Sequence, residues 1–296
     1  MVTALIVGGD SQIGGAVAAR LTDRGWRVVV TSRRRHPADP DRLHLDLAAC
    51  VDGVPMLPVC DVCLIAAAAT GLEDCRRAPE ATRCINVTGT SAVARAVADQ
   101  GGFVLLLSTN QVFDGLRPRR APADPVNPRS VYGVQKVEAE SAIRVLGPNG
   151  AVLRLTKVLS PGLPLLARWA EALRANQKIE AFGDMHMAPV TLDATVTAIE
   201  RVLERRATGT HHLSGDIDVS YADAARRLAE SLGRPLDLVS SAHWRDAGFL
   251  PENAPLNTTL DSSGLIQLGL FPPTTAECLN GVFMALVGEQ KERVRQ

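Results

Sequence analysis

The strongest limit on the fold is a series of short, nearly unbroken apolar runs, each followed by a stretch of helical spacing. Val2 to Val7 is the first run, and it ends at Gly8-Gly9. A strand with no consistently polar face must be covered on both sides, and helices flanking a parallel sheet supply that cover. Ile13 to Asp23 follows, with Ile13, Val17 and Leu21 on one helical face, and stops before Gly25. Trp26 to Thr31, Leu43 to Leu45, Val62 to Ala67, Phe103 to Leu107 and Ala151 to Leu155 repeat the strand signal. Helical spacing fills Pro79 to Ala98, with a break expected near Gly89, and Arg129 to Leu146. The alternation predicts an α/β protein built on a Rossmann-type, doubly wound parallel sheet.

Beyond Leu155 the pattern loosens. Helices are expected over Pro161 to Ala175, Thr191 to Arg205, Tyr221 to Leu232 and Thr274 to Val287, with extended pieces at Lys178 to Phe182 and His211 to Leu213. Residues 234–275 are rich in Pro, Gly, Asn and Ser and show few clear elements; the last eight residues read as a frayed tail. The expected division is a dinucleotide-binding domain over 1–158, with 190–213 returning to it. A smaller C-terminal substrate-binding region would take 159–189 and 214–296 and sit over the carboxyl ends of the strands.

Composition narrows the partners. Lys and Arg together number 32, as do Asp and Glu, so no global field recruits nucleic acid or an anionic membrane. Aromatics are 4%, too few for a single-strand stacking platform. The first residues lack a basic segment followed by a long apolar one, so a cytoplasmic protein without a signal peptide is expected. Cys60-Asp61-Val62-Cys63 has metal-pair or redox spacing, but no second close Cys/His pair follows, and the six cysteines read as small apolar residues. His186, His211 and His212 lack ligand spacing, so no metal is expected.

Chemistry concentrates in four places. In Gly8-Gly9-Asp10-Ser11-Gln12-Ile13-Gly14, Gly8 allows a sharp turn off the strand and Gly14 a close helix approach. Ser11 stands where a middle glycine is usual, and the helix N-terminus offers N–H groups to a pyrophosphate. Ser32-Arg33-Arg34-Arg35 ends the second strand without a carboxylate, which favours the 2′-phosphate of NADPH over NADH. Asp46 could reach an adenine amine or cap a strand end. Ser108-Thr109 closes a strand at the edge where open α/β sheets bind ligands, so a hydroxyl there could bond a substrate carbonyl. Tyr132 and Lys136 lie one helical turn apart. The ammonium is expected to lower the phenol's pKa and make a proton donor for carbonyl–alcohol chemistry.

The glycine loop, the Ser108-Thr109 strand end and the Tyr132/Lys136 pair resemble an extended short-chain dehydrogenase/reductase. Nearly end to end, the chain resembles the dTDP-4-dehydrorhamnose reductases. Ala66-Ala67-Ala68-Ala69-Thr70, Cys75, Pro79-Glu80, Asn86-Val87-Thr88-Gly89-Thr90, Val112-Phe113-Asp114-Gly115 and Arg154 follow that pattern. So do Thr210-His211-His212-Leu213-Ser214-Gly215, Pro255, Asn257-Thr258 and Leu260-Asp261.

The resemblance implies an NADPH-dependent reductase of a 4-keto deoxysugar nucleotide, and a possible homodimer. Thr109 would orient the carbonyl, Tyr132 would donate its proton, and Lys136 would hold the nicotinamide ribose. Gly8, Ser11, Gln12, Ile13, Gly14, Ser32, Arg33, Asp46 and Leu47 would follow the cofactor, with Ala66, Ala67, Ala68 and Asn86. Thr70, Ser108 and Gln111 would join Thr109 and Tyr132 at the substrate. Four positions depart from the family. Asn110-Gln111 stands where the family has Asp-Tyr, Lys157 where it has tryptophan, and Ala254 where it has arginine. The resemblance therefore implies an intact catalytic trio beside an altered substrate pocket. A non-catalytic cofactor-binding regulator is the alternative, of the kind found in the regulatory subunit of methionine adenosyltransferase.

Overall fold

The computed structural model describes residues 1–36, 39–51 and 53–293. Seven strands form one sheet: β1 (Thr3–Val7), β2 (Arg27–Ser32), β3 (Arg42–His44), β4 (Val62–Ile65), β5 (Phe103–Thr109), β6 (Gly150–Leu155) and β7 (Gly209–Leu213). Their order is β7-β6-β5-β4-β1-β2-β3, with every pairing parallel. The chain starts mid-sheet, runs out to β3, then crosses back to β4. The direction of winding reverses between β1 and β4, where loops leave the sheet on opposite faces and open a crevice at the carboxyl edge. This is the Rossmann-type, doubly wound architecture that the apolar runs predict.

Alternate residues of the strands feed two cores. Ala4, Ile6, Leu64, Leu105 and Leu153 point to one face, covered by Val17 and Leu21 of helix Gln12–Asp23 and by Ile199 and Val202 of helix Leu192–Arg205. Leu5, Val7, Ile65, Val104 and Leu106 point to the other, covered by Val93 and Val97 of helix Thr90–Asp99 and by Ala139 and Ile143 of helix Val131–Arg144. Each fully buried aliphatic side chain contributes about 1.5–3 kcal/mol, so burial on both faces holds the sheet. Cys63 belongs to this core; burial pushes its thiol well up and that of Cys60 to about 11, which suits small apolar residues rather than a redox pair.

A third core lies in the C-terminal half. Leu166, Trp169 and Leu173 of helix Pro164–Arg174 pack with Ala225 and Leu228 of helix Tyr221–Ser231 and with Phe283 of the closing helix. Strand Ile179–Phe182 pairs in parallel with Val239–Ala242, inside the stretch expected to be nearly featureless. Only Val239 of that segment is buried, so its sequence carries little strand signal. The closing helix runs from Thr275 to Arg293, past the expected end at Val287; residues 294–296 of the expected tail lie outside the described residues.

The helical run after β4 does not break at Gly89. Helix Pro79–Arg83 passes into a wide π turn, Cys84–Gly89, and on into Thr90–Asp99. A side chain at Gly89 would collide with the Leu47 carbonyl, so the glycine serves close packing rather than termination. Wide turns of this kind recur at functional sites.

Candidate active site

The glycine loop sits at the winding reversal. Gly8 has φ +95°, and a Cβ there would lie 2.8 Å from the Ala67 nitrogen. Gly14 packs behind the loop against the Gly8 carbonyl, where a Cβ has no room. The Ser11 hydroxyl donates to the Gly8 carbonyl (2.7 Å) and accepts from the Gly14 N–H (3.0 Å), capping helix Gln12–Asp23. Among the described residues the N–H groups of Gln12 and Ile13 have no partner, so they remain open to an anion. The Gln12 side chain reaches across to Ser160. Beside them lies a cleft of about 620 Å³ lined by Gly8, Ser11, Gln12, Ile13, Ser32, Arg33, Asp46, Leu47 and Ala66 to Thr70. Gly14 shapes this cleft without lining it. Thr70, expected at the substrate, stands at its wall. The Asp46 carboxylate accepts from the Ala48 N–H at 3.0 Å and caps the turn that follows.

One expectation at the end of β2 is overturned. A carboxylate does stand there, supplied by Asp10 of the glycine loop. It accepts from the Ser32 hydroxyl and, at 2.7 Å, from Arg42. The Ser32 hydroxyl, helped by the charges of Arg42, His36 and Arg34, outweighs burial and holds Asp10 below the usual carboxylate range. Reading only the residues that follow β2 missed it, because the fold brings the carboxylate in from 22 positions upstream.

Asn86, on the π turn, works as a brace. Its Oδ1 accepts from the Ala69 N–H (2.8 Å), and its Nδ2 donates to the Ala69 carbonyl (2.9 Å) and to Gln135 Oε1 (2.8 Å). It thus fixes the cleft wall at Ala66 to Thr70 and ties it to the residue before Lys136. Gln135 continues the link to the Pro79 carbonyl and the Thr82 hydroxyl, each at 3.0 Å.

Helix Val131–Arg144 starts at Ser130, whose hydroxyl accepts from the Gly133 N–H (3.0 Å). Tyr132 and Lys136, one turn apart, share one face of it, and both are buried. Lys136 Nζ donates to the Leu107 carbonyl at 2.7 Å, while the Tyr132 hydroxyl makes no hydrogen bond among the described residues. The expected lowering of the phenol pKa does not occur in the free chain: burial, with a smaller contribution from Cys75, raises it. Burial also pulls Lys136 down to about 8, opposed by Glu140. Removal from water disfavours both charges, and this outweighs any attraction between them while the ammonium is directed at a strand carbonyl.

Successive strand residues face opposite sides, and this separates Ser108 from Thr109. Thr109 ends β5 at the crevice, where its Oγ1 accepts from the Gln111 N–H at 3.2 Å. Ser108, expected at the substrate, points into the core instead and donates to Glu140 Oε1 at 2.6 Å. Gln111 accepts from the Ser130 hydroxyl (3.2 Å) and lines a small cavity of about 20 Å³ with Asn110, Phe113, Arg129 and Pro255.

Behind the helix lies a buried ionic cluster that the motifs left unassigned. Arg154 forms two hydrogen bonds with Glu140, Nε to Oε1 at 2.9 Å and Nη2 to Oε2 at 2.7 Å. Two guanidiniums lie over the Phe113 ring, Arg120 at 4.5 Å and Arg154 at 5.0 Å from its centroid. His212 Nε2 lies 3.2 Å from Arg154 Nη1, as an acceptor. Burial and then Arg154 push the His212 pKa down to about 4 from its ordinary 6.5. Between those values the unfolded chain holds a proton that the native state refuses, so stability should fall as pH drops from 6.5 to 4. Denaturant midpoints across that window should fall less in His212→Gln; equal slopes in the two proteins would refute the assignment.

Three comparisons bear on this geometry. The model of the family described as "RmlD substrate binding domain" matches residues 2–282. A dTDP-4-dehydrorhamnose reductase of Sinorhizobium fredii is 29% identical over 248 residues, 78% of this chain and 82% of its own. Methionine adenosyltransferase 2 subunit beta of Bos taurus is 25% identical over 287 residues, 90% of this chain and 82% of its own. The crystal structure of a Bacillus anthracis dTDP-4-dehydrorhamnose reductase in complex with NADP has the same fold, with a TM-score of 0.78 at 17% identity, covering 96% of this chain and 98% of its own.

Proposed function

The chain belongs to the RmlD substrate binding domain family, and from that premise we propose an NADPH-dependent reductase of a 4-keto deoxysugar nucleotide, with Tyr132 as general acid. The observation that carries the reading is the placing of Thr109, Tyr132 and Lys136. Thr109 ends the strand to which Lys136 is hydrogen-bonded, and Tyr132 lies one helical turn from Lys136, in a fold whose glycine-loop cleft has two open N–H groups; this supports the reading. The cleft fits a dinucleotide: glycines stand where a Cβ would intrude, the helix N-terminus suits a pyrophosphate, and Arg33 suits a 2′-phosphate.

Bound there, the cofactor supplies hydride to a carbonyl carbon. The residues of the chain then have one task, to manage the charge that develops on the carbonyl oxygen. The Thr109 hydroxyl, which donates only a long bond to Asn110 Oδ1 (3.4 Å), turns to donate one hydrogen bond to that oxygen. The Tyr132 phenol delivers the proton. A phenol whose pKa burial has raised is fully protonated at neutral pH, which is the form a reduction requires. Lys136, with a pKa of about 8, still carries its charge at pH 7 and favours the tyrosinate left after transfer. Asn86 and Gln135 keep the cleft wall and this helix in register.

Two measurements test the reading. NADPH should change the protein's fluorescence at micromolar concentration, with NADH binding more weakly. A panel of 4-keto sugar nucleotides should include one whose reduction consumes NADPH at 340 nm. Binding without turnover of any member would favour a regulatory subunit. That alternative draws support from the subunit beta relative and from Gln111, Lys157 and Ala254 at positions where the family carries substrate-contacting side chains. No binding of either nucleotide would remove both readings.

A further inference from the structure

The recess beside the dinucleotide cleft is built from charges of both signs. Asp10, Arg33 and Arg34 line a space of about 490 Å³ continuous with the end of β2. Arg33 and Arg34 form no ion pair among the described residues, so two guanidiniums are available to a phosphate. The Asp10 carboxylate faces the same space. One of its oxygens is held by Ser32 and the other by Arg42 (2.7 Å), which also approaches Asp39 at 3.6 Å. The Arg34 N–H in turn donates to the Ser32 hydroxyl at 2.9 Å, and His36 Nε2 lies 3.5 Å from it. The carboxylate is therefore a fixed part of the recess.

A fixed carboxylate treats the two nicotinamide cofactors oppositely. A ribose 2′-hydroxyl can donate to it, as sugar hydroxyls do to an acidic residue near the end of a second strand. A 2′-phosphate dianion drawn in by Arg33 and Arg34 must stand beside it, and like charges at such range repel. Arg42 offsets part of that repulsion. Building on the cofactor reading above, we infer that Asp10 sets the ratio of NADPH to NADH affinity, by accepting from the 2′-hydroxyl and opposing the 2′-phosphate. The preference conferred by the arginines is then held below what they would give alone.

The test is direct binding by the full chain, which needs no substrate. Dissociation constants for NADPH, NADH, 2′,5′-ADP and ADP are measured for the wild type, Asp10→Asn and Asp10→Ser. Asparagine keeps the shape; serine keeps a small hydrogen-bonding group beside Ser32 should asparagine fold poorly. The NADPH-to-NADH affinity ratio should rise about tenfold in either variant, with 2′,5′-ADP against ADP following it. The gain should shrink as salt is raised toward 0.5 M, which a purely structural loop brace would not produce. A ratio unchanged or lowered in both variants, while both cofactors still bind, overturns the inference and leaves the cofactor reading standing. If none of the four nucleotides binds the wild type, both fall together.

Discussion

If the proposed function holds, Tyr132→Phe should lower kcat for the reducible keto sugar nucleotide by a factor of about 10²–10⁴ and leave the Kd for NADPH within about twofold. The size follows from what is removed. The ring is 8% exposed, and phenylalanine fills the same volume. The hydroxyl makes no hydrogen bond among the described residues, so deleting it leaves no buried group without a partner and should barely alter stability. On the proposed reading, what disappears is the proton source for the new alkoxide, an interaction made only as the oxygen gains charge. Single-turnover absorbance at 340 nm separates this loss from slow product release, and nucleotide titration separates it from weaker binding. Wild-type turnover in the variant would place the acid elsewhere; a large change in Kd would make Tyr132 a binding residue.

Arg154→Met should destabilise the fold by about 3–5 kcal/mol near neutral pH. Arg154 and Glu140 are almost fully buried, and the methionine leaves a carboxylate with only Ser108 and the half-exposed Arg144 to satisfy it. Glu140 would then titrate upward. Its folded-state pKa would exceed the unfolded value, so the variant's deficit should shrink as pH falls toward 5 and the carboxylate takes up a proton. Replacing both residues, Arg154→Met with Glu140→Leu, should recover much of the loss, because the cost lies in the stranded charge. Urea unfolding of the wild type, Arg154→Met, Glu140→Leu and the double variant at pH 8 and pH 5 gives the cycle. A double variant no more stable than the single one would show that the pair contributes packing that apolar side chains cannot replace.

This cluster also bears on catalysis through position. Lys136 and Glu140, one turn apart on the helix, grip consecutive residues of β5, the Leu107 carbonyl and the Ser108 hydroxyl. Thr109 comes next. The strand end that presents its hydroxyl is thereby tied to the helix that presents Tyr132.

The sheet was legible because buried parallel strands leave nearly unbroken apolar runs, and six such runs precede residue 156. The glycine loop and the Tyr132/Lys136 pair were legible because both are local: a turn and one helical step. What escaped depends on distance along the chain or on the facing of a side chain. Asp10 meets Ser32 only through the β1–β2 pairing, and the apparent lack of a carboxylate near β2 was a consequence of looking only at the residues after it. Ser108 and Thr109 look interchangeable as letters, yet the pleat sends one to the core and the other to the crevice. The sign of the Tyr132 shift could not be read from spacing, because burial of the ring, absent from a helical wheel, outweighs a nearby charge. Strand Val239–Ala242 escaped because one buried residue among four leaves no pattern.

The wide turn at Cys84–Gly89 bears on how the chain can change in length. In an α-helix each residue advances the face by about 100°. Removing one residue here would restore ordinary winding, but it would swing either Asn86 off Ala69 or Val93 and Val97 off the sheet, since both are set on the one helical run. Adding one residue would displace Gly89 and press a side chain on the Leu47 carbonyl. Insertions and deletions therefore belong in the exposed turns around the sheet, and this stretch should keep its length even where its residues vary.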